Sequence, residues 1–362
     1  TEVFPMMSLS DERLIRDPRE WDALVATYQL DCYYEHAYFE LAKEHDEIPE
    51  LFYYPTEFGT LIYPYLRRRV PGTRFEDITT PYGYGGPYFT GIWSLDQIHE
   101  ARERFERYCK ETGIVTETVR FHPLLHNQEL GQYWCHQTNI LQPTVTLELT
   151  DPFETIEGGF SQMTRRNIRK ARREGVTIRL GRPEEYHDFA RLYQMTMDKH
   201  HADARYYFDQ TYFDHFAEGR INNVLLLAEQ DGHIIAGCIV LTGRQFAHYH
   251  LGASDPAYLA LRPNHLLFAE MIRWAKQSGF QALHLGGGTT RSDEDSLLAY
   301  KRSFGEANLT FFGLGTSILD ATIYERLTRQ FERQHPEVET GQWFPLYRTP
   351  IRQLSPRREE TS

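Results

Sequence analysis

The sequence predicts an α/β (α+β) fold of two tandem domains, each with a mixed central sheet flanked by helices. Three observations support this prediction. The chain has 362 residues, more than one hydrophobic core usually holds. Apolar residues recur with helical spacing in some segments and with strand spacing in others, and such segments alternate in two successive runs. The runs meet near residue 150, which predicts domains at 1–150 and 151–350 and a tail at 351–362, whose final segment PRREETS is expected to be disordered.

The first run combines helices with a group of strands and one loop rich in proline, glycine and tyrosine. The predicted elements are helices at Trp21–Tyr28 and Ala37–His45, strands in ELFYYPTE, GTLIYPYLRRR and TRFEDITTPY, the loop Pro81–Phe89, a helix at Leu95–Thr112, a strand at Thr118–Phe121, a loop beginning HPLLHN, and the strand TVTLEL before the boundary segment TDPFETIEGG.

The second run alternates strands and helices more regularly, and the Asp231-Gly232 pair predicts a hairpin turn. The predicted elements are a helix in FSQMTRRNIRKARREG, a strand in VTIRLG, helices in GRPEEYHDFARLYQMTMDKHH and DQTYFDHFAEG, strands in NNVLLLAEQ, HIIAGCIVLTG and QFAHYHLGAS, a helix in PNHLLFAEMIRWAKQSG, a strand in FQALHLGG, a helix at Asp295–Phe304, a strand in LTFFGLG, and a helix in TIYERLTRQFERQH.

Composition excludes several classes of protein. The net charge of −12 argues against a surface that coats nucleic acid, although a local basic patch remains compatible with it. No stretch is apolar enough for a membrane span, and the N-terminus has no secretory signal pattern. The four cysteines are scattered without C-x-x-C spacing, which is typical of reduced thiols in a cytoplasmic protein. We therefore expect a cytoplasmic location.

The second run carries a specific family pattern. Its strand and helix order, β-β-β-α-β-α-β, is that of the GNAT acyltransferase fold. The segments AHYHLGAS, RPNHLLFAEMIRWAKQSGFQALHLGGG and DSLLAYKRSFG resemble the second domain of Fem-type peptidoglycan-bridge aminoacyltransferases, the FemAB-like or BioF2-like branch of that superfamily. FSQMTRRNIRKARREGV resembles the family's Arg-Asn helix, and TPYGYGGPYF its first-domain loop. The resemblance implies two tandem GNAT-like domains.

The resemblance also implies a reaction and a catalytic lysine. Family members transfer an amino acid from an aminoacyl-tRNA ester to an amine on a cell-wall precursor. Such aminolysis passes through a tetrahedral oxyanion that a positioned cation stabilises. Lys301 matches the family's lysine, with Tyr300 before it, and the resemblance favours Tyr249 near the substrate. The alternative for Lys301 is an ordinary solvated helix lysine.

Three glycines precede this helix. We interpret Gly286–Gly288 as a tight turn at a strand end that approaches a ligand or a neighbouring strand, with Gly287 and Gly288 as candidate substrate contacts. A phosphate cradle is the alternative, although no Gly-Lys-Ser/Thr pair follows. Ser296 or its neighbour is expected to cap the helix, and Ser296 is also a candidate ligand contact.

A CoA-binding GNAT places a glycine-rich pyrophosphate loop where this chain has Arg262-Pro263-Asn264-His265. Proline lacks an N–H donor and no glycine is present, so we expect no CoA cofactor site of the usual kind. Asn264 either caps the helix or contacts a ligand.

Two histidines flank Tyr249. His248 and His250 lie on one face of the predicted strand, opposite Tyr249. Either a structural role or acceptance of a proton from the attacking amine suits them, and His250 is a candidate substrate contact. Histidines are numerous, but their spacing matches no zinc motif, so no metal is expected.

Basic and aromatic residues supply further candidate contacts. The helix segment 165–173 contains Arg165, Arg166 and Arg169, which suit either a solvated face or contacts to tRNA phosphates. Arg205 and the adjacent Tyr207 are candidates for an acceptor's anion. In the first-domain loop, Tyr82 and Tyr84 either bind the acceptor or pack in a turn. The strand arginines 67–69 suit an edge strand or a ligand contact.

These features together predict an N-acyltransferase that uses charged tRNA as donor and an amine-bearing metabolite or cell-wall precursor as acceptor. An acyl-CoA-dependent transferase acting on an amino sugar or amino acid is the alternative. A non-catalytic binding protein that kept the fold is the third.

Overall fold

The computed structural model describes residues 12–44, 46–200, 206–290, 294–305, 309–338 and 343–351. Contacts divide the chain into two compact units. The first unit comprises 1–14, 43–139 and 313–362, and the second comprises 15–42 and 140–312. This division differs from the predicted contiguous domains 1–150 and 151–350, because the last strand pairs inside the first unit and the segment 15–42 packs inside the second.

Thirteen strands alternate with eleven helices in the described ranges. The strands are β1 (Arg13–Ile15), β2 (Ile48–Pro55), β3 (Gly59–Arg69), β4 (Glu76–Thr79), β5 (Tyr88–Gly91), β6 (Ile114–Arg120), β7 (Gln137–Glu148), β8 (Thr177–Leu180), β9 (Asn223–Gln230), β10 (His233–Thr242), β11 (Phe246–Ser254), β12 (Ala282–Gly287) and β13 (Leu309–Ile318). The helices are α1 (Pro18–Thr27), α2 (His36–Ala42), α3 (Leu95–Thr112), α4 (Gln128–Trp134), α5 (Phe153–Gly158), α6 (Gln162–Arg173), α7 (Tyr186–His200), α8 (Gln210–Ala217), α9 (Pro263–Gln277), α10 (Ser296–Arg302) and α11 (Ala321–Gln334).

The first unit contains a mixed sheet in the order β1-β2-β3-β4-β6-β13, with β5 paired to β3. β4 and β6 are parallel, whereas β13 runs antiparallel to β6. Helix α3 covers an aromatic core against this sheet, and its members lie almost entirely out of solvent: Phe52, Tyr63, Tyr65, Phe105, Phe121 and Trp134.

The second unit contains a mixed sheet in the order β7-β12-β11-β10-β9-β8. β9, β10 and β11 are antiparallel, whereas β11 and β12 are parallel. Aliphatic residues of α6 and α9 pack on one face of this sheet, and the core includes Val145, Leu147, Ile168, Leu226, Val240, Leu267, Met271 and Leu283. The predicted α/β class, with a mixed sheet flanked by helices in each unit, is therefore confirmed.

Three predicted loops contain regular structure. Helix α4 follows HPLLHN, helix α5 lies in the predicted boundary segment, and β5 continues from the loop Pro81–Phe89. All three elements are short, so their apolar periodicity is weak. Within the described ranges, every helix is too short or too polar to cross a lipid bilayer.

Candidate functional site

The second unit's sheet opens where β11 and β12 stop pairing. Their parallel pairing covers Phe246–His248 and Ala282–His284. Beyond it, β11 continues with Tyr249 and β12 with Gly286 and Gly287. Gly286 has φ +74°, a left-handed conformation that glycine adopts without steric cost. Gly286 and Gly287 still pair with β7, across a β-bulge between His284 and Gly286, so the predicted turn takes the form of a bulged strand end. We call this bulged end, with Gly288, the glycine turn.

Lys301 of α10 reaches this strand end. Only 5% of its surface is exposed, and its Nζ donates a hydrogen bond of 2.7 Å to the carbonyl oxygen of Gly287. The same nitrogen lies 5.4 Å from the centre of the Tyr249 ring, within the range of a cation–π interaction. The predicted residues Lys301, Tyr249 and Gly287 therefore lie together, and Lys301 is not a solvated surface lysine.

Burial changes the acidity of Lys301. The pKa of its ammonium is lowered to about 8, chiefly because burial disfavours the charged form, while the negative charge of Asp295 acts in the opposite direction. At neutral pH the group is still mostly protonated. It is therefore both a cation and a proton donor in an environment with little water to compete for it.

Asp295, rather than Ser296, caps α10. Its Oδ1 accepts a hydrogen bond from the Leu298 N–H at 2.8 Å, and Ser296 is an exposed first residue of the helix. Ser296 or its neighbour was expected to cap the helix, and the neighbour Asp295 does so, because a side-chain oxygen at the position before the helix reaches the N–H groups of its first turn.

Tyr300 is surrounded by rings. Its ring contacts His265 at 5.1 Å, Phe268 at 5.1 Å and Phe304 at 5.4 Å between centroids. Its hydroxyl is buried and makes no hydrogen bond to any described residue. Burial raises the pKa of both Tyr300 and Tyr249 well above the ordinary tyrosine value, so both phenols are neutral.

Asn167 and His265 connect α6 to this ring cluster, and sequence reasoning missed their contact. Asn167 Nδ2 lies 3.1 Å from His265 Nε2, and His265 packs edge-on against Tyr300. Burial, followed by the charge of Arg262, lowers the pKa of His265 to about 4. The Arg-Asn motif of α6 thus holds a neutral imidazole next to Tyr300, a contact whose partners lie 98 residues apart in the chain.

Asn264 does not cap α9. Its amide donates to Ser254 Oγ at 3.3 Å, whereas the cap position belongs to Arg262, which has φ +64° and makes no capping bond with its side chain. A non-glycine residue in this left-handed conformation is uncommon and often marks a functional loop. Pro263 begins the helix, as the sequence predicted.

His248 and His250 have separate partners. His248 Nε2 lies 2.6 Å from Asp31 Oδ2, and both side chains are almost fully buried. His250 Nε2 lies 2.6 Å from the Tyr212 hydroxyl. The pKa of His250 is lowered to about 3 by burial and then by His248. The strand has a β-bulge between Tyr249 and Leu251. The regular alternation that was predicted to place both histidines on one face is therefore interrupted between them. A structural role suits both better than proton acceptance.

The basic residues of α6 are mostly exposed. Arg166 and Arg169 lie on the surface of the helix, while Arg165 donates to the carbonyl of Gly158 and Arg172 pairs with Glu270 at 2.9 Å. The helix therefore presents positive charge to solvent, as predicted.

The remaining predicted contact residues show no contact with Lys301 among the described residues. Arg205 lies outside the described residues, and Tyr207 is 40% exposed. In the first unit, Tyr82 is 55% exposed beneath Arg120, and Tyr84 is buried edge-on against His122. Arg67 and Arg68 form ion pairs with Glu76 and Asp77, which gives both a structural role.

Comparisons with known proteins indicate the same class of protein. The family profile described as acetyltransferase (GNAT) domain matches residues 159–302. A UDP-N-acetylmuramoylpentapeptide-lysine N(6)-alanyltransferase of Weissella viridescens is 26% identical over 236 residues, covering 63% of this chain and 66% of the relative. A lipid II:glycine glycyltransferase of Staphylococcus haemolyticus is 28% identical over 105 residues, 28% of this chain and 25% of the relative. The chain thus spans less than two thirds of these curated relatives.

The fold has a close counterpart among solved structures. The crystal structure of FemX superposes with a TM-score of 0.67 at 14% identity, covering 87% of this chain and 99% of that chain. At this identity the similarity concerns the fold. It confirms the predicted tandem GNAT-like architecture.

Proposed function

We propose that the chain belongs to the Fem-type branch of the GNAT acyltransferases and that it transfers an aminoacyl group from aminoacyl-tRNA to an amine. The relatives, the family profile and the fold support this assignment. The acceptor is a cell-wall precursor or a related small metabolite, and the reaction takes place in the cytoplasm. The names of the relatives support this choice, since one is an alanyltransferase for a lysine of a UDP-linked muramoylpentapeptide and another a glycyltransferase for lipid II:glycine.

One observation carries the proposal: a buried ammonium, that of Lys301, held at the open end of the sheet by Gly287 and Tyr249. In the reaction the amine nitrogen bonds to the ester carbonyl carbon, and the carbonyl oxygen becomes negatively charged. The C–O bond to the tRNA ribose then breaks, the amine loses one proton, and the ribose hydroxyl gains one. An ammonium in a site with little water stabilises the oxyanion strongly, because the local dielectric is low.

The surface of α6 supports a nucleic-acid donor. Arg166 and Arg169 are exposed on one helix, and contacts between arginine and phosphate dominate the affinity of proteins for tRNA. We infer that these residues contact phosphates of the donor. The overall charge of −12 limits this contact to a local patch.

The proposed donor is tested by incubating the protein with tRNA charged with a labelled amino acid and with candidate amine acceptors. Transfer that depends on the protein and is abolished by ribonuclease supports the proposal. Arg166→Glu and Arg169→Glu should weaken tRNA binding and reduce the slope of log affinity against log salt by about one each. Arg329→Glu reverses the charge of an exposed arginine in the first unit. It should leave the affinity for tRNA and its salt dependence unchanged.

An acyl-CoA donor is the second candidate, favoured by the acetyltransferase profile over 159–302. The start of α9 argues against it, because Pro263 removes an N–H donor where a pyrophosphate would bind. Release of CoA thiol on addition of acyl-CoA, with no transfer from charged tRNA, would support this candidate. Tight ligand binding without turnover of either donor would indicate a non-catalytic protein.

A further inference from the structure

The carboxylate of Asp295 connects the residues that follow β12 with the first turn of α10. Its Oδ2 accepts hydrogen bonds from the backbone N–H and the hydroxyl of Thr289, both at 2.8 Å. It accepts two more from Thr290, at 2.7 Å from the N–H and 3.0 Å from the hydroxyl. With the Leu298 N–H on Oδ1 at 2.8 Å, one carboxylate joins the end of the glycine turn to the first turn of α10. A helix cap needs only the last of these bonds.

Gly288 makes this approach possible. A Cβ at position 288 would lie 2.3 Å from Asp295 Oδ1 and 2.4 Å from its carboxyl carbon, closer than any non-bonded contact allows. Because Gly288 has no side chain, the carboxylate of Asp295 can approach the backbone at this position. Gly287, the preceding residue, provides the carbonyl that binds Lys301 Nζ.

The groups that face Lys301 come from three elements. Asp295 lies at the start of its own helix, Tyr249 on β11, and the Gly287 carbonyl on β12. Both Tyr249 and the adjacent Tyr300 are neutral phenols, as burial raises their pKa values. Although burial acts to raise it, the pKa of Asp295 lies well below the usual range, since the donors at Leu298, Thr289 and Thr290 stabilise its ionised form. Among these groups, Asp295 is the anion.

We propose that Asp295 is the positioning residue for the Lys301 ammonium. It fixes the glycine turn whose Gly287 carbonyl accepts the hydrogen bond from Nζ, and it is the carboxylate whose negative charge favours the ammonium form of the buried nitrogen. Its importance for transfer rests on the proposed function, whereas its effect on Lys301 itself does not.

The first test needs no substrate. Lys301 is labelled with a small amine reagent over a range of pH, and the labelled peptide is quantified by mass spectrometry, which yields the pKa and intrinsic reactivity of that one amine. Asp295→Asn should lower the pKa of Lys301 by about one unit, because it removes the negative charge that favours the ammonium. The matched control is Asp209→Asn, which removes the carboxylate charge at the cap of α8 and should leave the Lys301 titration unchanged. An unchanged titration in a folded Asp295→Asn protein overturns the proposal.

A second variant covers the case in which Asp295→Asn does not fold. Replacing both Thr289 and Thr290 by valine keeps the charge but removes two of the donors. The turn should loosen, so Lys301 should label faster at a given pH. Labelling at the native rate in this folded variant also overturns the proposal.

Measuring the transfer rate against pH distinguishes a failure of this inference from a failure of the proposed function. With a donor that supports transfer, the rate should fall as pH rises through about 8, and Asp295→Asn should move this alkaline limb down by about one unit, with kcat reduced more than KM changes. An altered Lys301 titration without transfer from any donor would reject the proposed function and leave the positioning role in place. Transfer with an unshifted alkaline limb would reject the positioning role alone.

Discussion

The hydroxyl of Tyr249 occupies the space that a side chain at position 252 would need. A Cβ on Gly252 would lie 1.9 Å from Tyr249 Oη and 2.9 Å from the ring carbon that bears it. The two residues lie on the same strand, β11, on either side of the bulge that shifts its register. The orientation of the ring that faces Lys301 thus depends on the absence of a side chain three residues further along.

Gly252→Ala should therefore displace Tyr249 and lower the free energy of unfolding by about 1–3 kcal/mol, as expected when a packed core receives an extra methyl group. Urea denaturation measures this change. Tyr249→Phe in the same chain removes the hydroxyl and should recover much of the loss.

Gly158→Ala is the control for this substitution. A Cβ at Gly158 meets nothing within 4 Å, so stability should be unchanged or slightly higher, in line with the better helix propensity of alanine. Equal destabilisation by the two glycine substitutions would contradict the steric explanation.

Lys301→Met should reduce kcat/KM by about 10²–10³, the usual cost of removing one group that stabilises an oxyanion. Lys301→Arg keeps the charge but not the geometry, so it should retain more activity than Lys301→Met without restoring the native rate. Steady-state kinetics with the established donor measures both. Native activity in the methionine variant would exclude Lys301 from catalysis.

The same substitution should stabilise the protein at neutral pH. Burial lowers the pKa of Lys301 to about 8, from an ordinary value of 10.5, so the unfolded chain binds the proton more tightly between these values. The free energy of unfolding of the native protein should then rise with pH over this window. Below about pH 8 the lysine is charged in both the folded and the unfolded chain, and burying that charge then lowers the free energy of unfolding by roughly 3 kcal/mol.

Chemical denaturation of the native protein and Lys301→Met at about pH 7 and about pH 10.5 tests this linkage. The advantage of the methionine variant should be largest at the lower pH and should shrink at the higher one. A difference that is independent of pH would mean that the lysine is not buried as a cation.

In the first unit, Arg102 and Glu117 form a buried ion pair with an Nη1 to Oε2 distance of 2.7 Å. Trp134 and Ser317 also donate hydrogen bonds to Glu117. Arg102→Met leaves this carboxylate without its cation and should destabilise the protein by about 3–5 kcal/mol.

Arg104, on the same helix α3, pairs with Glu100 and Glu12 at the surface. Arg104→Met should cost less than about 1 kcal/mol, because solvent screens exposed pairs. Urea denaturation of the two variants side by side distinguishes the buried pair from the exposed one. Similar losses in both would show that burial does not govern the strength of the pair.

Elements with strong local signals were predicted from sequence to the residue. Helix α3 begins after a capping box formed by Ser94 and Gln97 and ends at Gly113, whose φ is +80°, and these signals are readable in a single sequence. The strand β3 is likewise confirmed at Gly59–Arg69. The two compact units differ from the predicted domains in their boundaries, because the pairing of β13 with β6 is a long-range contact that no local pattern encodes.

In the candidate site, too, some residues were predicted from sequence and some contacts were not. Lys301, Tyr249 and Gly287 were identified from motif and family resemblance, and the structure places them in contact. The contact of Asn167 with His265 was missed because it joins two helices. The four bonds from Thr289 and Thr290 to Asp295 were missed because they depend on the path of the loop, although an aspartate before a helix is itself a readable signal.

The interleaving of the two units has a consequence for biosynthesis. Strand β13 and helix α11 follow all the strands of the second unit in the chain, yet they complete the sheet and core of the unit that contains β2. The segment 15–42 emerges early, but its partner His248 lies more than 200 positions downstream. Neither unit can therefore finish folding on the ribosome before most of the other has been made, so both should reach their native state nearly together.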